Sequence, residues 1–209
     1  MERAPLAPSH RLMTSLQSIQ SSFEEAAQTL SAFMQSESGL ASVQRFADAA
    51  KAAMDSGGKL MACGNGGSMC DAMHFAEEWT GRFRGNRAAL PAIAFSDPSQ
   101  LTCIANDFGY EQVFARYVEA VGKRGDLLVV LSTSGNSPNV LKAVESARKM
   151  GIQSVGLLGK GGGELLDQVD IPILVPEAQT SDRIQEVHIK VLHIAIEAVE
   201  RELFPENYA

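Results

Sequence analysis

From residue 59 onward, short apolar runs alternate with longer amphipathic segments, and this alternation constrains the fold more than any other feature. The apolar runs are bounded by Gly, Pro or Asp and are mostly apolar on both faces: 59–63, 91–95, 126–131, 152–158 and 171–175. Strands of this kind belong in a parallel sheet that is covered on both sides. The intervening segments predict crossover helices at 68–80, 110–121, 139–150 and 181–204. The expected fold is therefore an α/β, doubly wound, five-stranded parallel sheet.

Two further helices are predicted before the first strand. Residues 11–35 and 41–56 carry Leu, Ile, Phe, Met and Ala at helical spacing, with Gly39 and Gly57-Gly58 as stops. These helices carry more apolar residues than one face of a sheet can cover, which predicts an oligomer. No linker-like stretch or repeat interrupts the chain, so we expect one domain over residues 1–209. Its expected parts are a flexible N-terminus at 1–13, oligomerisation helices at 14–56 and an α/β sandwich at 57–209.

Composition and charge exclude several classes of protein. The content of 45% hydrophobic and 21% charged residues is typical of a globular chain and not of a disordered one. The longest apolar runs, residues 90–95 and 127–131, are far shorter than the ~20 residues that span a bilayer. A net charge of −7 opposes non-specific nucleic-acid binding. The 3 cysteines are too few for a disulfide framework, so we expect reduced thiols in a cytoplasmic protein, with Cys63 in the core.

Two loops at the carboxyl ends of predicted strands have the composition of phosphate-binding loops. Residues 64–68 (GNGGS) follow the first strand and residues 132–138 (STSGNSP) follow the third, and each loop opens a helix. Ligands of open α/β sheets bind at these ends, and free N–H groups of a helix N-terminus favour an anion. The alternatives are a tight turn with Ser68 as the N-cap and a solvated Ser-rich turn. The first loop lacks the Walker A lysine and the glycine spacing of dinucleotide-binding loops.

Polar side chains on two predicted helices could converge on one point. His74 and Glu78 stand four residues apart, an offset of about 40° around a helix. Gln185 and His193 are eight apart, about 80°, whereas His188 lies about 140° from His193 and should face elsewhere. His74 and Glu78 have the spacing of two metal ligands. The alternative for each histidine is a structural role with its ring nitrogens satisfied.

Two other polar groups admit both a functional and a structural interpretation. Asn106 and Asp107 follow the second predicted strand, where they could hold sugar hydroxyls or form a turn with a helix cap. Arg82, Arg84 and Arg87 follow the helix of His74 and Glu78. They could supply local positive charge, or they could be ordinary surface arginines.

Four motifs together resemble those of a known enzyme family. They are residues 63–68 (CGNGGS), 71–78 (DAMHFAEE), 132–136 (STSGN) and 182–190 (DRIQEVHIK). The chain resembles the sedoheptulose 7-phosphate isomerases, or phosphoheptose isomerases, of the SIS (sugar isomerase) superfamily over about residues 17–202. The resemblance implies a flavodoxin-like sheet and a cytoplasmic homotetramer with active sites between subunits. It also implies conversion of D-sedoheptulose 7-phosphate to D-glycero-D-manno-heptose 7-phosphate, for synthesis of the lipopolysaccharide core and related glycans.

The resemblance also implies roles for individual residues. Glu78 would be the base and His193 the acid of proton transfer through an enediol, with one Zn²⁺ per active site polarising the carbonyl. A carboxylate on zinc is less basic, so Glu78 would have to loosen from the metal to act. The implied zinc ligands are His74, Glu78, Gln185 and His193. The implied substrate contacts are Asn65, Gly66, Gly67, Ser68, Glu78, Asn106, Asp107, Ser132, Thr133, Ser134, Ser137 and Gln185.

Two non-catalytic classes of the same superfamily are the alternatives. One comprises isomerase-like proteins that bind the replication initiator, which should lack the catalytic and metal-binding side chains. This chain retains all four of His74, Glu78, Gln185 and His193. The other class is a phosphosugar-sensing regulatory domain, which would usually be fused to a DNA-binding or synthase domain, and no residues remain to form one. We therefore expect an enzyme.

Overall fold

Five strands lie at the centre of the structure, a computed structural model that describes residues 14–176 and 178–209. They span Leu60–Gly64 (β1), Ala92–Ala94 (β2), Leu127–Ser132 (β3), Gln153–Leu158 (β4) and Ile171–Leu174 (β5). The sheet order is β2-β1-β3-β4-β5 and every neighbouring pair is parallel. Each strand overlaps one predicted run, so the five-stranded parallel sheet is confirmed. The N-terminus at 1–13, predicted to be flexible, lies outside the described residues.

The two central strands are buried on both faces. Every residue of β1 and of β3 is buried, and Leu60 pairs with Leu127 to set their register. Since β1 and β3 are neighbours and run in the same direction, the loops that follow them meet at one edge of the sheet. This edge positions the candidate site.

The N-terminal helices are α1, Ser15–Gln35, and α2, Gly39–Asp55. Thr14 begins α1 with a capping box, in which its hydroxyl accepts from Gln17 N at 3.3 Å and Gln17 Oε1 accepts from Thr14 N at 2.9 Å. Gly39, which the sequence predicted as a stop, is instead the first residue of α2. The glycine fits there because a Cβ would lie 2.4 Å from the carbonyl oxygen of Phe33.

Helices cover both faces of the sheet, as a doubly wound fold requires. The crossover and C-terminal helices are α3 (Gly67–Thr80), α4 (Pro98–Phe108), α5 (Ala115–Val121), α6 (Pro138–Met150) and α7 (Ser181–Leu203). One core cluster joins α1, α2, α3 and α7 to the sheet, and a second joins α4, α5 and α6 to its other face. Cys63 lies in the second cluster and is fully buried, as predicted. Among the described residues, no helix is both long and apolar enough to cross a membrane.

The segment after β2 differs from the sequence prediction. Asn106 and Asp107 were placed in a loop, but they lie in the last turn of α4. The helix predicted at 110–121 is divided into a 3₁₀ turn at Tyr110–Gln112 and the shorter α5. Although no residue of α4 is fully buried, Leu101, Ile104 and Ala105 lie at helical spacing and pack against the second core cluster.

Candidate active site

The loops after β1 and β3 are joined by a reciprocal pair of amide hydrogen bonds. Asn65 Nδ2 donates to Asn139 Oδ1 at 2.9 Å, and Asn139 Nδ2 donates to Asn65 Oδ1 at 2.8 Å. Tyr110 adds a third bond, its hydroxyl donating to Asn65 Oδ1 at 3.1 Å. An open cavity of about 400 Å³ lies here. It is lined by Asn65, Tyr110, Glu111, Ser137, Pro138 and Asn139.

The first loop turns directly into α3. Gly66 is the N-cap and has a φ of 56°, which favours glycine, so Ser68 is not the N-cap that the structural interpretation proposed. Ser68 is buried within the first turn, where its hydroxyl accepts from Gln185 Nε2 at 3.3 Å. A Cβ on Gly67 would lie 2.7 Å from Gln185 Oε1. The Gln185 amide therefore packs against the start of α3.

The hydroxyl groups of the second loop are held in place by one another and by backbone groups. Ser132 Oγ and Ser137 Oγ lie 3.2 Å apart, and Gly135 N donates to Ser132 Oγ at 3.1 Å. Asn136 N donates to Ser134 Oγ at 3.2 Å. Ser137 is the N-cap of α6, yet its side chain makes no capping hydrogen bond. The loop is therefore an organised turn, with the helix N-terminus of α6 behind it.

Three predicted metal ligands converge between α3 and α7. His74 Nε2 lies 3.1 Å from Glu78 Oε1, and the rings of His74 and His193 meet edge to face with centroids 4.9 Å apart. One potential ligand atom from each of the three lies within 4.8 Å of the others. Helical spacing predicted the approach of His74 and Glu78, whereas the grouping of these two with His193 was implied by the resemblance.

The chemistry of this cluster suits a metal ion. His193 Nε2 is buried and has no hydrogen-bond partner among the described residues. Burial, followed by the neighbouring His74, lowers the pKa of His193, which favours the neutral imidazole that a metal requires. Two imidazoles and a carboxylate are zinc ligands of the ordinary type. The cluster as it stands could therefore hold a divalent cation through three side chains, and Gln185 stays a predicted ligand.

The hydrogen bonds of Asn106 and Asp107, two further predicted site residues, lie within α4 and do not reach the metal cluster. Asn106 Nδ2 donates to Asp107 Oδ1 at 2.8 Å, and Cys103 Sγ lies 3.7 Å from Asp107 Oδ2. Both Asn106 and Asp107 are exposed at the end of α4. Their role in substrate binding stays a prediction. Thr133, another predicted substrate contact, has its hydroxyl 3.1 Å from that of Ser181 at the start of α7.

His188 faces away from the cluster, as its position on the helix predicted. It is fully buried, and its Nε2 lies 3.2 Å from the carbonyl oxygen of Leu158. Burial lowers its pKa to about 4, so the ring is neutral at physiological pH. Its Nδ1 is buried without a hydrogen-bond partner among the described residues, so only one of the two ring nitrogens is satisfied.

The sequence analysis missed Asn139, Tyr110 and Asp71. Asn139 and Tyr110 both contact Asn65. In the sequence, each lies at the start of a predicted helix beside a candidate loop, and this position could have identified them as site residues. Asp71 lies three residues before His74 on α3, and its Oδ2 is buried without a hydrogen-bond partner among the described residues. Burial raises the pKa of Asp71 to about 6, and the charge of His74 partly opposes this shift.

Arg87 is not the surface arginine that was considered, because its side chain is fully buried. Its Nε donates to Glu200 Oε1 at 2.6 Å, and its Nη2 donates to the Glu78 carbonyl oxygen at 2.7 Å. Arg84, by contrast, is half exposed and pairs with Glu197 at 2.7 Å. No local pattern distinguishes the two arginines, because Glu200 is 113 residues from Arg87.

Comparison with known proteins finds relatives that cover most of the chain. A family model described as "SIS domain" matches residues 22–159. The chain is 52% identical to the phosphoheptose isomerase of Edwardsiella ictaluri over 185 residues, which is 88% of this chain and 96% of that protein. It is 54% identical to the phosphoheptose isomerase of Yersinia pestis (strain Pestoides F) over the same shares of the two chains.

Solved structures support the same assignment. Phosphoheptose isomerase GmhA from Neisseria gonorrhoeae superposes with a TM-score of 0.83 at 34% identity, covering 90% of this chain and 99% of that one. A phosphoheptose isomerase from Francisella tularensis gives a TM-score of 0.86 at 34% identity, covering 90% of this chain and 100% of that one. The chain therefore belongs to the phosphoheptose isomerase family of SIS domain proteins.

Proposed function

We propose that this protein is an aldose–ketose isomerase that converts D-sedoheptulose 7-phosphate to D-glycero-D-manno-heptose 7-phosphate in heptose biosynthesis. The observation that carries the proposal is the convergence of His74, Glu78 and His193 beside two polar loops at the carboxyl edge of the sheet. Membership of the phosphoheptose isomerase family supports the substrate. The alternative of a non-catalytic sugar-phosphate or replication-initiator binder would not need these three side chains together.

The reaction moves a proton between C1 and C2 of the sugar through an enediol. Glu78 is the proposed base that takes the proton from C1 and returns it to C2, since carboxylates are general bases of this type. His193 is the proposed acid that protonates the carbonyl oxygen at C2, while the hydroxyl at C1 gives up its proton as the aldehyde forms. His193 has two ring nitrogens, so one can bind a metal while the other transfers a proton.

A divalent metal, which we propose is Zn²⁺, would be held by His74, Glu78 and His193, with Gln185 as the further predicted ligand. When bound, the metal would supply a Lewis acid for the carbonyl oxygen. The buried and unpartnered Nε2 of His193 supports this assignment. Glu78 would also have to leave the metal, at least in part, because coordination lowers its basicity.

The phosphate of the substrate is proposed to bind at the second loop. Ser132, Thr133, Ser134 and Ser137 provide hydroxyls there, and the N-terminus of α6 provides free N–H groups. The first loop, at Asn65–Ser68, and the side chains of Asn106, Asp107 and Gln185 are the proposed contacts of the sugar. Neutral donors of this kind hold a phosphomonoester as a handle without activating it for transfer.

The protein is proposed to work as a homotetramer with active sites between subunits. Leu16 and Phe23 on α1 are 73% and 74% exposed, and Ile19 is 52% exposed on the same helix. Such a row of apolar side chains is typical of a surface that another subunit covers. A tetrameric mass in light scattering is expected, and an active monomer at micromolar concentration would contradict it. A cytoplasmic location is also proposed, because all 3 cysteines are free thiols.

The test compares Glu78→Gln with the double variant Ser134→Ala/Ser137→Ala. Glu78→Gln should lose turnover by roughly 10²–10⁴-fold while still binding the sugar phosphate, because it removes the base and leaves the phosphate site. The double variant should instead weaken binding with less effect on the chemical step. Glu145→Gln on α6 is the control for loss of a carboxylate outside the site, because this glutamate is 44% exposed and pairs with Lys142 and Lys149.

The assay combines steady-state isomerisation, calorimetric titration with sedoheptulose 7-phosphate and measurement of bound zinc for each variant. Incubation in D₂O, followed by NMR, would show whether deuterium enters at C2 of the product. Turnover near the wild-type value in zinc-loaded Glu78→Gln would remove Glu78 as the base. Full activity of the wild type after complete removal of metal would overturn the zinc assignment.

A further inference from the structure

The candidate metal cluster depends on how two helices are placed relative to each other. His74 and Glu78 lie on α3, whereas His193 lies on α7. Their potential ligand atoms lie within 4.8 Å of one another, and the approach of His193 to the other two depends on how α7 packs against α3. Any contact that fixes the end of α3 against α7 therefore also sets the geometry of the cluster.

Arg87 makes such a contact. Its guanidinium donates to the carbonyl oxygens of Glu78 and Trp79, both at 2.7 Å, in the last turn of α3. Carbonyl groups in this turn have no partner within the helix, and the negative end of the helix dipole favours a cation there. The same guanidinium donates through Nε to Glu200 Oε1 at 2.6 Å on α7, and both side chains are fully buried.

Glu200 links the Arg87 contact to the face of α7 that carries His193. It follows His193 by seven residues, which places the two side chains about 20° apart on the same face of α7. The second carboxylate oxygen of Glu200 accepts from the hydroxyl of Tyr208 at 2.9 Å. Burial and this hydrogen bond raise the pKa of Tyr208 to about 12, so the hydroxyl remains a donor. Both oxygens of the carboxylate are therefore held.

We infer that Arg87 is a positioning residue, which uses Glu200 as its anchor and sets the placement of Glu78 relative to His193 for metal binding and proton transfer. The inference rests on the proposed function, because it assumes that these side chains bind a metal. A contribution to stability alone explains the network less well, since desolvation of a buried ion pair offsets much of its attraction. The two backbone carbonyls held by Arg87 add a directional constraint that a pair of apolar side chains would not provide.

The chain offers a matched control in the same loop and on the same helix. Arg84 pairs with Glu197 through Nη2 and Oε2 at 2.7 Å, but their side chains are 51% and 23% exposed. This pair also joins the loop after α3 to α7. Arg84 also lies 5.9 Å from the centre of the Tyr208 ring, a cation–π contact that a lysine can keep. Arg84→Lys therefore makes the same chemical change as Arg87→Lys and leaves the hydrogen bonds to the end of α3 in place.

The experiment measures zinc affinity of the full-length chain by competition with a chelator. Arg87→Lys keeps the charge but cannot reach Glu200 and both carbonyls at once, and we expect zinc to bind about 10- to 100-fold more weakly. The rise in unfolding temperature on adding zinc should shrink in parallel. At saturating zinc, kcat should fall while KM for the sugar phosphate changes little. Arg84→Lys should match the wild type in all three measurements.

Two further variants cover the case in which a buried substitution disturbs folding. Arg87→Met/Glu200→Gln removes both charges, so that no unpaired charge remains buried, and Tyr208→Phe removes only one hydrogen bond to the anchor. Each should lower zinc affinity, with the smaller effect in Tyr208→Phe. A purely structural role would lower the unfolding temperatures of the zinc-free and zinc-loaded proteins equally.

A folded Arg87→Lys protein with the zinc affinity of the wild type would overturn the inference. So would loss of the fold in Arg87→Lys together with unchanged zinc affinity in Tyr208→Phe. Failure of the proposed function is a different result, because the wild type itself would then neither bind zinc at this cluster nor isomerise the sugar phosphate.

Discussion

Replacing Gly67 by alanine should displace the Gln185 amide without disturbing the fold. Gly67 is the first residue of α3, and an added Cβ would lie 2.7 Å from Gln185 Oε1 and 2.9 Å from Gln185 Nε2. These atoms are the far end of a flexible side chain, so the amide can move away by changing its rotamer. The hydrogen bond that it donates to Ser68 at 3.3 Å is then lost.

The expected change in stability is close to zero. Alanine in a helix is favoured over glycine by roughly 0.5–1 kcal/mol, whereas the lost hydrogen bond costs about 0.5–1.5 kcal/mol. For a chain of this size, 1 kcal/mol corresponds to about 2–4 °C in unfolding temperature. The unfolding temperature of Gly67→Ala should therefore stay within about 4 °C of the wild type.

Activity should respond much more strongly than stability. If Gln185 helps to bind the metal or the sugar, its displacement should lower kcat/KM by about 10- to 100-fold. A double-mutant cycle with Gln185→Ala tests whether Gly67→Ala lowers activity through Gln185, because in the Gln185→Ala background it should have little further effect. The measurements are steady-state isomerisation and thermal unfolding of the four proteins. An equal loss of activity with and without Gln185, or a fall in unfolding temperature well beyond 4 °C, would show that Gly67→Ala does not act by displacing the Gln185 amide.

Three other substitutions test structural features of the sheet edges and the core. Burial raises the pKa of Asp126, but hydrogen bonds and the ion pair with Lys59 outweigh this and lower it overall. Asp126→Asn should therefore reduce the free energy of unfolding by about 1–3 kcal/mol. In urea unfolding, this difference should be present above about pH 4 and disappear as the wild-type carboxylate is protonated at lower pH. His188, with its pKa of about 4, binds a proton more weakly in the folded state than in the unfolded state. Metal-free protein should lose up to about 1.4 kcal/mol per pH unit through this residue between about pH 6.5 and 4, and His188→Gln should reduce that slope in urea unfolding. Asn139→Ala removes the partner of Asn65, so it should raise KM for the sugar phosphate and cost about 1 kcal/mol, measured by kinetics and thermal unfolding.

The fold was predictable because the three inner strands, β1, β3 and β4, are almost entirely buried and all five runs are strongly apolar. Runs of apolar residues bounded by Gly, Pro or Asp located all five strands to within one or two residues at each end, as for 59–63 against Leu60–Gly64. α4 was not predicted, although Leu101, Ile104 and Ala105 lie at helical spacing and pack against the core. Asp97 as its N-cap and Pro98 at its first position were the available signals.

The candidate site was predictable only where local spacing decides the geometry. His74 and Glu78 lie one helical turn apart, so their convergence follows from the helix alone. The contact of Gln185 with Gly67, and that of Arg87 with Glu200, depends on how α7 packs against distant segments. Spacing along the chain contains no information about such packing. The same limit explains why the buried and the exposed arginine of one loop were indistinguishable.

The single continuous helix α7 contacts several parts of the candidate site, and this limits which insertions and deletions the protein can tolerate. Ser181 lies beside Thr133, Gln185 beside Ser68, and His193 beside His74. Inserting a single residue between Gln185 and His193 would turn the rest of the helix by about 100° and advance it by about 1.5 Å. Substitutions can alter each contact separately, but an insertion or deletion within this helix would break the later ones together. Changes in chain length among functional relatives should therefore be confined to the segments outside α7.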